Sequence, residues 1–322
     1  MAGAQTDCKV CQCSFRWRIN SGKLHLFLRL RCILKQRFVL WLLKGVGRLP
    51  LGMARALGAC VGWLLYKTNS RAARVTKVNL ALCFPAMPQP ERDQLARKSL
   101  IETGRTGAEI PVLWQRKESW LRQHALEYEG IEYIRRSREA GKGIIMLTPH
   151  LGNWELLPCI LTLHGKITVL YQPPKDNALE DYIASARRRS QVALAPTNRR
   201  GVAMLIKALK AGEMVGILPD QVPDSGNGGV EALFFGEPAM TMTLVHNLMR
   251  RTDCEVLMCY ALRVAGGFKV VVTPCEGGIN EPDLIVGATA LNKTVQSSIE
   301  KAPAQYQWEY KRFKGRKQGE PY

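Results

Sequence analysis

The sequence predicts an α/β fold built on a mixed, mostly parallel β-sheet flanked by helices. From about residue 91 onward, short apolar runs alternate with helical patterns, which is typical of parallel strands joined by helices. The turn Val-Ala-Gly-Gly-Phe at 264–268 indicates a hairpin late in the chain, and hence an antiparallel edge. A strongly apolar segment near the N-terminus predicts a membrane-associated helical segment ahead of the sheet.

The individual elements follow from the period of the apolar residues. Runs of five to eight residues rich in aliphatic side chains predict strands, and apolar residues at helical spacing predict helices. The predicted strands are 143–147, 167–171, 214–218, 255–262 and 268–273. The predicted helices are 91–103, 153–163, 178–189, 201–210, 241–251 and 284–300. No internal repeat or low-complexity linker interrupts this pattern, so residues 69–322 are predicted to form one domain.

Residues 34–68 are predicted to be a membrane-anchoring helical segment. The stretch 49–66 contains a single charge, Arg55, and reaches the lower length limit for a bilayer span. A central arginine is costly in hydrocarbon, so a helix lying in the headgroup region is favoured over a spanning one. Pro50 is expected to end or restart the helix, because proline lacks the N–H that a helix interior needs.

Basic residues on this segment form a stripe that suits anionic lipid. At about 100° per residue they fall within a narrow sector of a helical wheel. The stripe consists of Arg37, Lys44, Arg48 and Arg55. The alternative is a helical hairpin packed on the body of the protein, in which Gly58 and Gly62 permit close approach.

The net charge of +19 is concentrated at the two ends of the chain. Residues 1–60 hold eleven basic residues and one acidic residue, residues 311–322 contribute +4, and the 250 residues between contribute only +5. Because the sequence lacks the aromatic platforms or motifs that nucleic-acid binding requires, the basic ends favour an anionic membrane as partner. No nucleic acid is expected.

Ten scattered cysteines in a chain of 322 residues, with no cleavable export signal, predict free thiols in a reducing compartment and a cytosol-facing protein. Cys8, Cys11 and Cys13 form the one cluster, but a closed zinc site needs four ligands. No zinc site is therefore expected at this cluster, and no metal or cofactor is predicted for the protein. Residues 1–33 are either a basic N-terminal extension or a translation artefact.

A histidine stands at the predicted carboxyl end of a buried strand, where open α/β sheets bind their ligands. His150 follows the apolar run 143–147, and Glu155 lies five residues further on. A carboxylate in the first turn of the next helix can fold back to the imidazole, fix its tautomer and leave the other nitrogen free to take a proton from a hydroxyl. The pair predicts a base that activates an alcohol; the alternative is a structural histidine that caps the helix.

Motifs around this pair occur in one order along the chain. They are Thr-Pro-His-Leu-Gly-Asn-Trp-Glu at 148–155, Val-Leu-Tyr-Gln-Pro at 169–173 followed by Asp-Asn, Leu-Pro-Asp-Gln at 218–221, Phe-Phe-Gly-Glu-Pro-Ala-Met-Thr at 234–241, Ala-Pro-Ala-Gln-Tyr-Gln-Trp at 302–308 and Lys-Arg-Phe at 311–313. Together they resemble the bacterial lipid A biosynthesis lauroyl/myristoyl acyltransferase family, the late acyltransferases related to lysophospholipid acyltransferases. The resemblance covers roughly residues 34–315.

The resemblance implies a fold similar to glycerol-phosphate acyltransferases, with residues 69–322 as the catalytic domain. It also implies that His150 is the general base and Glu155 its orienting partner. His150 would deprotonate a hydroxyl of a lipid A precursor, which then attacks the thioester of an acyl-acyl carrier protein, without metal or covalent enzyme intermediate. The implied location is the cytoplasmic side of the bacterial inner membrane.

The same resemblance implies four substrate-binding residues. Arg188, with a register uncertain by one residue, would meet a phosphate or the developing oxyanion, and Asp220 would hold that arginine or a sugar hydroxyl. Asn153 and Gln221 complete the set. Gln172 departs from the family, whose members often have arginine there, so a phosphate contact at that position is not expected.

Two alternatives to this function stay open on the sequence. The first keeps the chemistry but uses a lysophospholipid or another glycolipid as acceptor. Against a glycerolipid stands Leu-Pro-Asp-Gln at 218–221, where glycerolipid enzymes of the broader group often carry Pro-Glu-Gly-Thr. The second, of a different class, is a non-catalytic basic protein that binds the membrane surface.

Overall fold

The computed structural model describes residues 37–172, 179–183, 185, 191–223 and 228–322. The predicted extension 1–33, with its cysteine cluster, lies outside the described residues. Arg188, the predicted phosphate or oxyanion ligand, lies outside them as well.

Seven strands form one sheet in the order β1-β9-β8-β2-β5-β3-β4. Every neighbouring pair is parallel except β8 and β9, so the prediction of a mixed, mostly parallel sheet is confirmed. The strands are β1 (Ala125–Glu129), β2 (Gly143–Leu147), β3 (Ile167–Tyr171), β4 (Ala193–Pro196), β5 (Met214–Ile217), β8 (Cys254–Val264) and β9 (Gly267–Pro274), and a separate hairpin contains β6 (Gly229–Phe234) and β7 (Glu237–Met242).

Helices cover both faces of this sheet. They are α1 (37–47), α2 (Leu51–Lys67), α3 (Arg71–Cys83), α4 (Gln89–Gln115), α5 (Glu118–His124), α6 (Ile131–Glu139), α7 (Leu157–Leu161), α8 (179–183), α9 (Arg199–Lys210), α10 (Leu244–Met249) and α11 (Leu284–Lys301). Short 3-10 turns lie at Trp154–Leu156, Thr162–His164 and Pro303–Gln305.

The hydrophobic core has one layer on each face of the sheet, and the side chains of strand β2 alternate between the two layers. All five of its residues are buried. Ile145 and Leu147 pack in the layer with α9 and α11, whereas Ile144 and Met146 pack in the opposite layer with α6 and α7. A strand covered on both faces has no polar side, which explains the unbroken apolar run at this point.

The prediction differs from the structure in the late hairpins. β8 and β9 form the predicted antiparallel pair, but β1 adds to the far side of β9, so the pair lies inside the sheet. The predicted helix 241–251 begins later, because β7 extends to Met242. Phe235 and Gly236, with φ of 52° and 80°, close the β6–β7 turn in the left-handed conformation that short hairpins favour.

Helix α2 packs directly on α4 through glycines. A Cβ atom on Gly58 would lie 2.3 Å from the carbonyl oxygen of Gly104, and one on Gly62 would lie 2.0 Å from that of Leu100. Any larger side chain would force the two backbones apart. The alternative of a helical hairpin packed on the body of the protein expected such a close approach at Gly58 and Gly62, and the structure shows it. Pro50 separates α1 from α2, as predicted.

The outward face of α1 and α2 is apolar. Its exposed side chains are Phe38, Val39, Trp41, Leu42, Met53, Leu57, Val61, Trp63 and Leu64. Of the predicted basic stripe, Arg37, Lys44 and Arg48 are exposed on this segment. Among the described residues, no helix combines the length and the apolar character that crossing a membrane requires.

Arg55 corrects the prediction of a four-residue lipid-facing stripe. Its side chain is only 14% exposed and its Nε donates to Oε1 of Glu109 at 2.6 Å. Its terminal nitrogens donate to the carbonyl oxygens of Val264 and Gly267 at 2.9 and 2.8 Å. The arginine faces the protein because these acceptors replace the water that its charge would lose on burial.

Candidate active site

The candidate active site lies at the carboxyl ends of strands β2 and β5. These strands are parallel neighbours and end side by side, with Leu147 opposite Ile217. His150 and Asp220 each occupy the third position after their strand, and each follows a proline. Equal spacing from a shared sheet edge brings the two side chains together, although 70 residues separate them in sequence.

Two hydrogen bonds join His150 to Asp220. The backbone N–H of His150 donates to Oδ2 at 2.9 Å, and ring Nδ1 lies 2.9 Å from Oδ1. Burial by itself raises the pKa of Asp220, but the charge and hydrogen bonds of His150 outweigh it, so the pKa is lowered from its ordinary value. The carboxylate is therefore ionised at neutral pH, and Nδ1 carries the proton that it accepts.

The second ring nitrogen of His150 carries the free lone pair. With the proton on Nδ1, Nε2 is an acceptor, and the side-chain nitrogen of Gln221 lies 3.1 Å from it as the matching donor. The His150 side chain is 12% exposed. Nε2 is thus held in one orientation with its lone pair available as a base. A substrate hydroxyl could take the place of the Gln221 amide there.

Glu155 occupies a different place from the one predicted. We expected it to orient His150, but Asp220 holds Nδ1, and Oε2 of Glu155 accepts a hydrogen bond from Nε1 of Trp114 at 2.9 Å. The reason is that Trp154–Leu156 forms a 3-10 turn beside the strand end, while β5 delivers Asp220 directly. The contact predicted for Glu155 is thus made by Asp220, which had been predicted to hold Arg188 or a sugar hydroxyl.

Asn153 lies buried in the turn that carries His150, and its role as a substrate ligand stays a prediction. It is fully buried, and its Nδ2 donates to Oε2 of Glu109 at 2.9 Å. Its backbone N–H donates to the carbonyl oxygen of Ala261 at 2.8 Å. These bonds fix the far end of the turn against α4 and β8.

Glu109 of α4 is the centre of a buried ionic cluster that was not predicted. Besides Asn153 and Arg55, it accepts from Nε and Nη2 of Arg263, both at 2.7 Å. Burial raises the pKa of Glu109, but Arg263, Arg55 and Asn153 together lower it below its ordinary value. One feature of the sequence could have indicated this cluster: Arg263 is a charged residue within the largely apolar strand β8.

The C-terminal segment holds the other side of the same turn. The N–H of Gly152 donates to the carbonyl oxygen of Gln305 at 2.9 Å, and the N–H of Gln307 donates to that of His150 at 3.1 Å. Leu151 and Tyr306 form an antiparallel bridge between these bonds. His150 is therefore presented by a turn whose backbone is anchored on two sides.

A narrow apolar cleft lies next to the candidate base. Trp154 lines it, and the ring of Trp154 lies 4.7 Å from that of His150, centroid to centroid. Glu155 and Thr148 add the polar atoms. Most of the remaining lining is aliphatic, from Leu157, Leu161, Ile167, Val169, Leu170 and Leu218. Such a cleft suits a hydrocarbon chain.

The structure thus brings His150, Asp220 and Gln221 into direct contact and leaves Glu155 at the cleft wall. In the described part of the chain, no group of three or more His, Cys, Asp or Glu side chains is placed to hold a metal ion. Gln172 accepts a hydrogen bond from Thr197. The arrangement can take a proton from a hydroxyl beside an apolar groove.

Comparison with known sequences agrees with the resemblance. The family model described as bacterial lipid A biosynthesis acyltransferase matches residues 22–315, which begins earlier than the predicted start at 34. The lauroyltransferase of lipid A biosynthesis of Escherichia coli (strain K12) is 31% identical over 290 residues, 88% of this chain and 91% of that protein.

Two further relatives come from the same organism. The lipid A biosynthesis palmitoleoyltransferase is 29% identical over 88% of this chain and 90% of its own length. The myristoyltransferase is 23% identical over 86% of this chain and 87% of its own length. Since the family model covers nearly the whole chain, the protein belongs to the bacterial lipid A biosynthesis acyltransferase family.

Proposed function

We propose that the protein transfers a fatty acyl chain from acyl-acyl carrier protein to a hydroxyl of a lipid A precursor, with His150 as general base. Membership of the family supports acyl transfer in lipid A biosynthesis. The observation that carries the finer proposal is the contact of His150 with Asp220 at 2.9 Å, beside an apolar cleft.

In the proposed reaction the acceptor hydroxyl replaces the Gln221 amide on Nε2 of His150. Nε2 takes the hydroxyl proton while the oxygen attacks the thioester carbonyl, and the ionised Asp220 stabilises the resulting imidazolium. Collapse of the tetrahedral intermediate forms the ester and expels the thiolate, which receives the proton from His150. The apolar cleft holds the acyl chain, and Arg188 keeps its proposed place at a phosphate or the oxyanion.

The acceptor is tested by mass spectrometry of lipid A from a deletion strain that has no other late acyltransferase. We expect one secondary acyl chain to be missing and to return when the gene is supplied. An unaltered acyl count would reject the lipid A acceptor. Purified protein given acyl-acyl carrier protein and either a lipid A precursor or a lysophospholipid then separates the two acceptors, and no transfer to any acceptor would favour a non-catalytic membrane binder.

We propose further that the outward face of α1 and α2 docks on the cytoplasmic surface of the inner membrane. Apolar side chains such as Trp41, Leu57 and Leu64 are exposed there, and Lys44 and Arg48 lie on the same segment. Tryptophan and leucine suit the boundary between headgroups and acyl chains, and the basic residues suit anionic lipid. This location would place the cleft within reach of lipid substrates.

Replacing Leu57 and Leu64 together by glutamate tests this surface. Both side chains are about half exposed, so folding should survive. Binding to vesicles of phosphatidylethanolamine and phosphatidylglycerol is expected to weaken by more than about tenfold, because two apolar groups would lose their burial in lipid. Replacing Leu126 of β1 and Leu233 of β6 together by glutamate is the matched control, since these leucines are about equally exposed but lie on strands instead of α1 and α2. Equal binding by all three proteins would contradict the proposal.

A further inference from the structure

The buried carboxylate of Glu109 has its whole hydrogen-bonding capacity in use. Its Oε1 accepts from Nε of Arg55 at 2.6 Å and from Nε of Arg263 at 2.7 Å. Its Oε2 accepts from Nη2 of Arg263 at 2.7 Å and from Nδ2 of Asn153 at 2.9 Å. An ionised carboxylate offers about four acceptor positions, so these donors fill it, which a neutral amide at this place could not match.

Glu109 fixes the side chain of Asn153, which belongs to the turn that carries His150. A carboxylate accepts hydrogen bonds and does not donate them, so Nδ2 of Asn153 has to point toward Glu109. Oδ1 of Asn153 is buried and has no hydrogen-bond partner among the described residues. In that part of the chain, the bond to Glu109 is therefore what orients this side chain, three residues after His150.

A second residue of α4 contacts the same turn. Thr106 lies three positions before Glu109 and thus on the same face of the helix. Its Oγ1 donates to the carbonyl oxygen of Gly152 at 3.3 Å and accepts from Nη2 of Arg263 at 2.6 Å. Helix α4 therefore holds two consecutive residues of the turn, Gly152 by its backbone and Asn153 by its side chain.

Arg263 joins these contacts to the C-terminal segment. Its N–H donates to Oε1 of Gln305 at 2.8 Å, and its carbonyl oxygen accepts from Nε2 of Gln305 at 3.1 Å. The carbonyl oxygen of Gln305 in turn accepts from the N–H of Gly152 at 2.9 Å. The hydrogen bonds thus form a closed circuit that leaves the turn at Asn153, passes through Glu109 and Arg263, and returns to the turn at Gly152.

Arg55 connects the same carboxylate to helix α2. Besides Glu109, it binds the carbonyl oxygens of Val264 and Gly267, at the two ends of the β8–β9 turn. Buried charges that are paired in this way keep a fixed geometry, because a movement would leave a charge without its partner. Helix α2, whose outward face is the proposed membrane surface, therefore shares one ionic anchor with the turn that carries His150.

We propose that Glu109 is a positioning residue of the candidate acyl-transfer site: its carboxylate holds the His150 turn through Asn153 and ties that turn to helix α2 through Arg55. Its described hydrogen bonds go to residues other than His150, and it is not among the residues that line the cleft, so it acts on the candidate base through the turn. The acyl-transfer role rests on the proposed function, but the anchoring of the turn is independent of it.

Glu109→Gln tests the proposal, because it keeps the size of the side chain but removes its charge and one acceptor oxygen. Hydrogen–deuterium exchange is measured by mass spectrometry on peptides that contain the Gly152 and Asn153 amides. We expect these amides to exchange roughly tenfold to a hundredfold faster, as for loss of a hydrogen bond to a charged group, while the amides of β2 change less. We expect kcat to fall by about tenfold or more with KM nearly unchanged, because a small misplacement of the base is costly and the cleft stays intact.

Three further variants separate the contacts of Glu109. Combining Glu109→Gln with Asn153→Asp exchanges donor and acceptor and returns a carboxylate to the arginines, so the slow exchange of the turn should largely return. Asn153→Leu leaves Glu109 with both arginines and removes only the bond to the turn; the turn should again exchange faster, and this variant decides the point if Glu109→Gln does not fold. Arg55→Met should accelerate the same exchange by a smaller factor, because Arg263 still holds Glu109.

Asn292→Ala is the matched control for a general loss of stability. Asn292 is as buried as Asn153, but it bonds Thr241 at 2.8 Å and Arg312 at 3.2 Å instead of the turn. It should lower the melting temperature and leave both kcat and the exchange of the turn, relative to that of β2, unchanged.

The exchange measurement needs no substrate, so it separates this inference from the proposed function. Faster exchange of the turn in Glu109→Gln or Asn153→Leu supports the anchor even if the wild type transfers nothing to lipid A. Exchange of the turn as in the wild type in Asn153→Leu, with folding intact by circular dichroism, would overturn the proposal. An unchanged kcat in folded Glu109→Gln, where the wild type is active, would overturn it as well.

Discussion

His150→Ala is expected to lower the rate of acyl transfer by about 10² to 10⁴, the usual contribution of a general base. The neighbour of Nε2 of His150 is the Gln221 amide, whose nitrogen lies 3.1 Å away and cannot replace the imidazole as a base. The turn should stay folded, because its anchors are backbone bonds from Gly152 and Gln307 and the side chain of Asn153. The rate is measured with purified protein, acyl-acyl carrier protein and acceptor under single-turnover conditions.

Two controls accompany this variant. His164→Ala removes a histidine from the 3-10 turn Thr162–His164, outside the cluster around Asp220, and should leave the rate unchanged. Thermal unfolding and vesicle binding of His150→Ala should match the wild type within a few degrees, since one partly exposed side chain is truncated. Transfer at the wild-type rate in His150→Ala would exclude the proposed base.

Asp220→Asn is expected to lower kcat by up to about 10⁴, the loss that a wrong histidine tautomer causes in hydrolytic triads. An amide at this position can present its NH₂ to Nδ1, which moves the proton to Nε2 and abolishes the base. The pKa of Asp220 is lowered in the folded protein, so its contribution to stability is present above the unfolded pKa and lost as pH falls through the folded pKa.

Glu155→Gln is the matched comparison, because it makes the same carboxylate-to-amide change at the cleft wall. Asp220 and not Glu155 contacts Nδ1, so the tautomer of His150, read from the ¹⁵N chemical shifts of its ring, should change in Asp220→Asn and stay as in the wild type in Glu155→Gln. The His150 signals are assigned by their loss in His150→Ala. A changed tautomer in Glu155→Gln alone would assign the orienting role to Glu155.

The candidate base was predictable from local pattern, but its partner was not. His150 follows a buried apolar run, and that position at a strand end identified it. Glu155 was the nearest carboxylate in sequence, whereas the contact is made by Asp220, 70 residues away. The order of the strands in the sheet decides which strand ends are neighbours. The sequence pattern predicts the strands but does not show that β2 lies beside β5.

The N-terminal segment shows the same division. Its apolar character, the break at Pro50 and the glycines at 58 and 62 could be identified from the sequence, and each has its place in the helices α1 and α2. The inward direction of the Arg55 side chain could not be identified in this way. A helical wheel gives the angle of each side chain around the helix axis, but it does not show which side of the helix packs against the protein. The acceptor that turns it inward, Glu109, comes from another helix.

The sequence by itself determined the class of the sheet, the segments that form most of its strands, the family and the position of the candidate base, because these depend on local periodicity and on ordered motifs. Only the tertiary structure decided the contacts of that base. Asp220 and Gln221 follow β5, which parallel pairing places beside β2, and the returning C-terminal segment binds the backbone of the His150 turn through Tyr306 and Gln307. Charge and hydrogen bonding act over a few ångströms in space, and chain folding alone sets those distances.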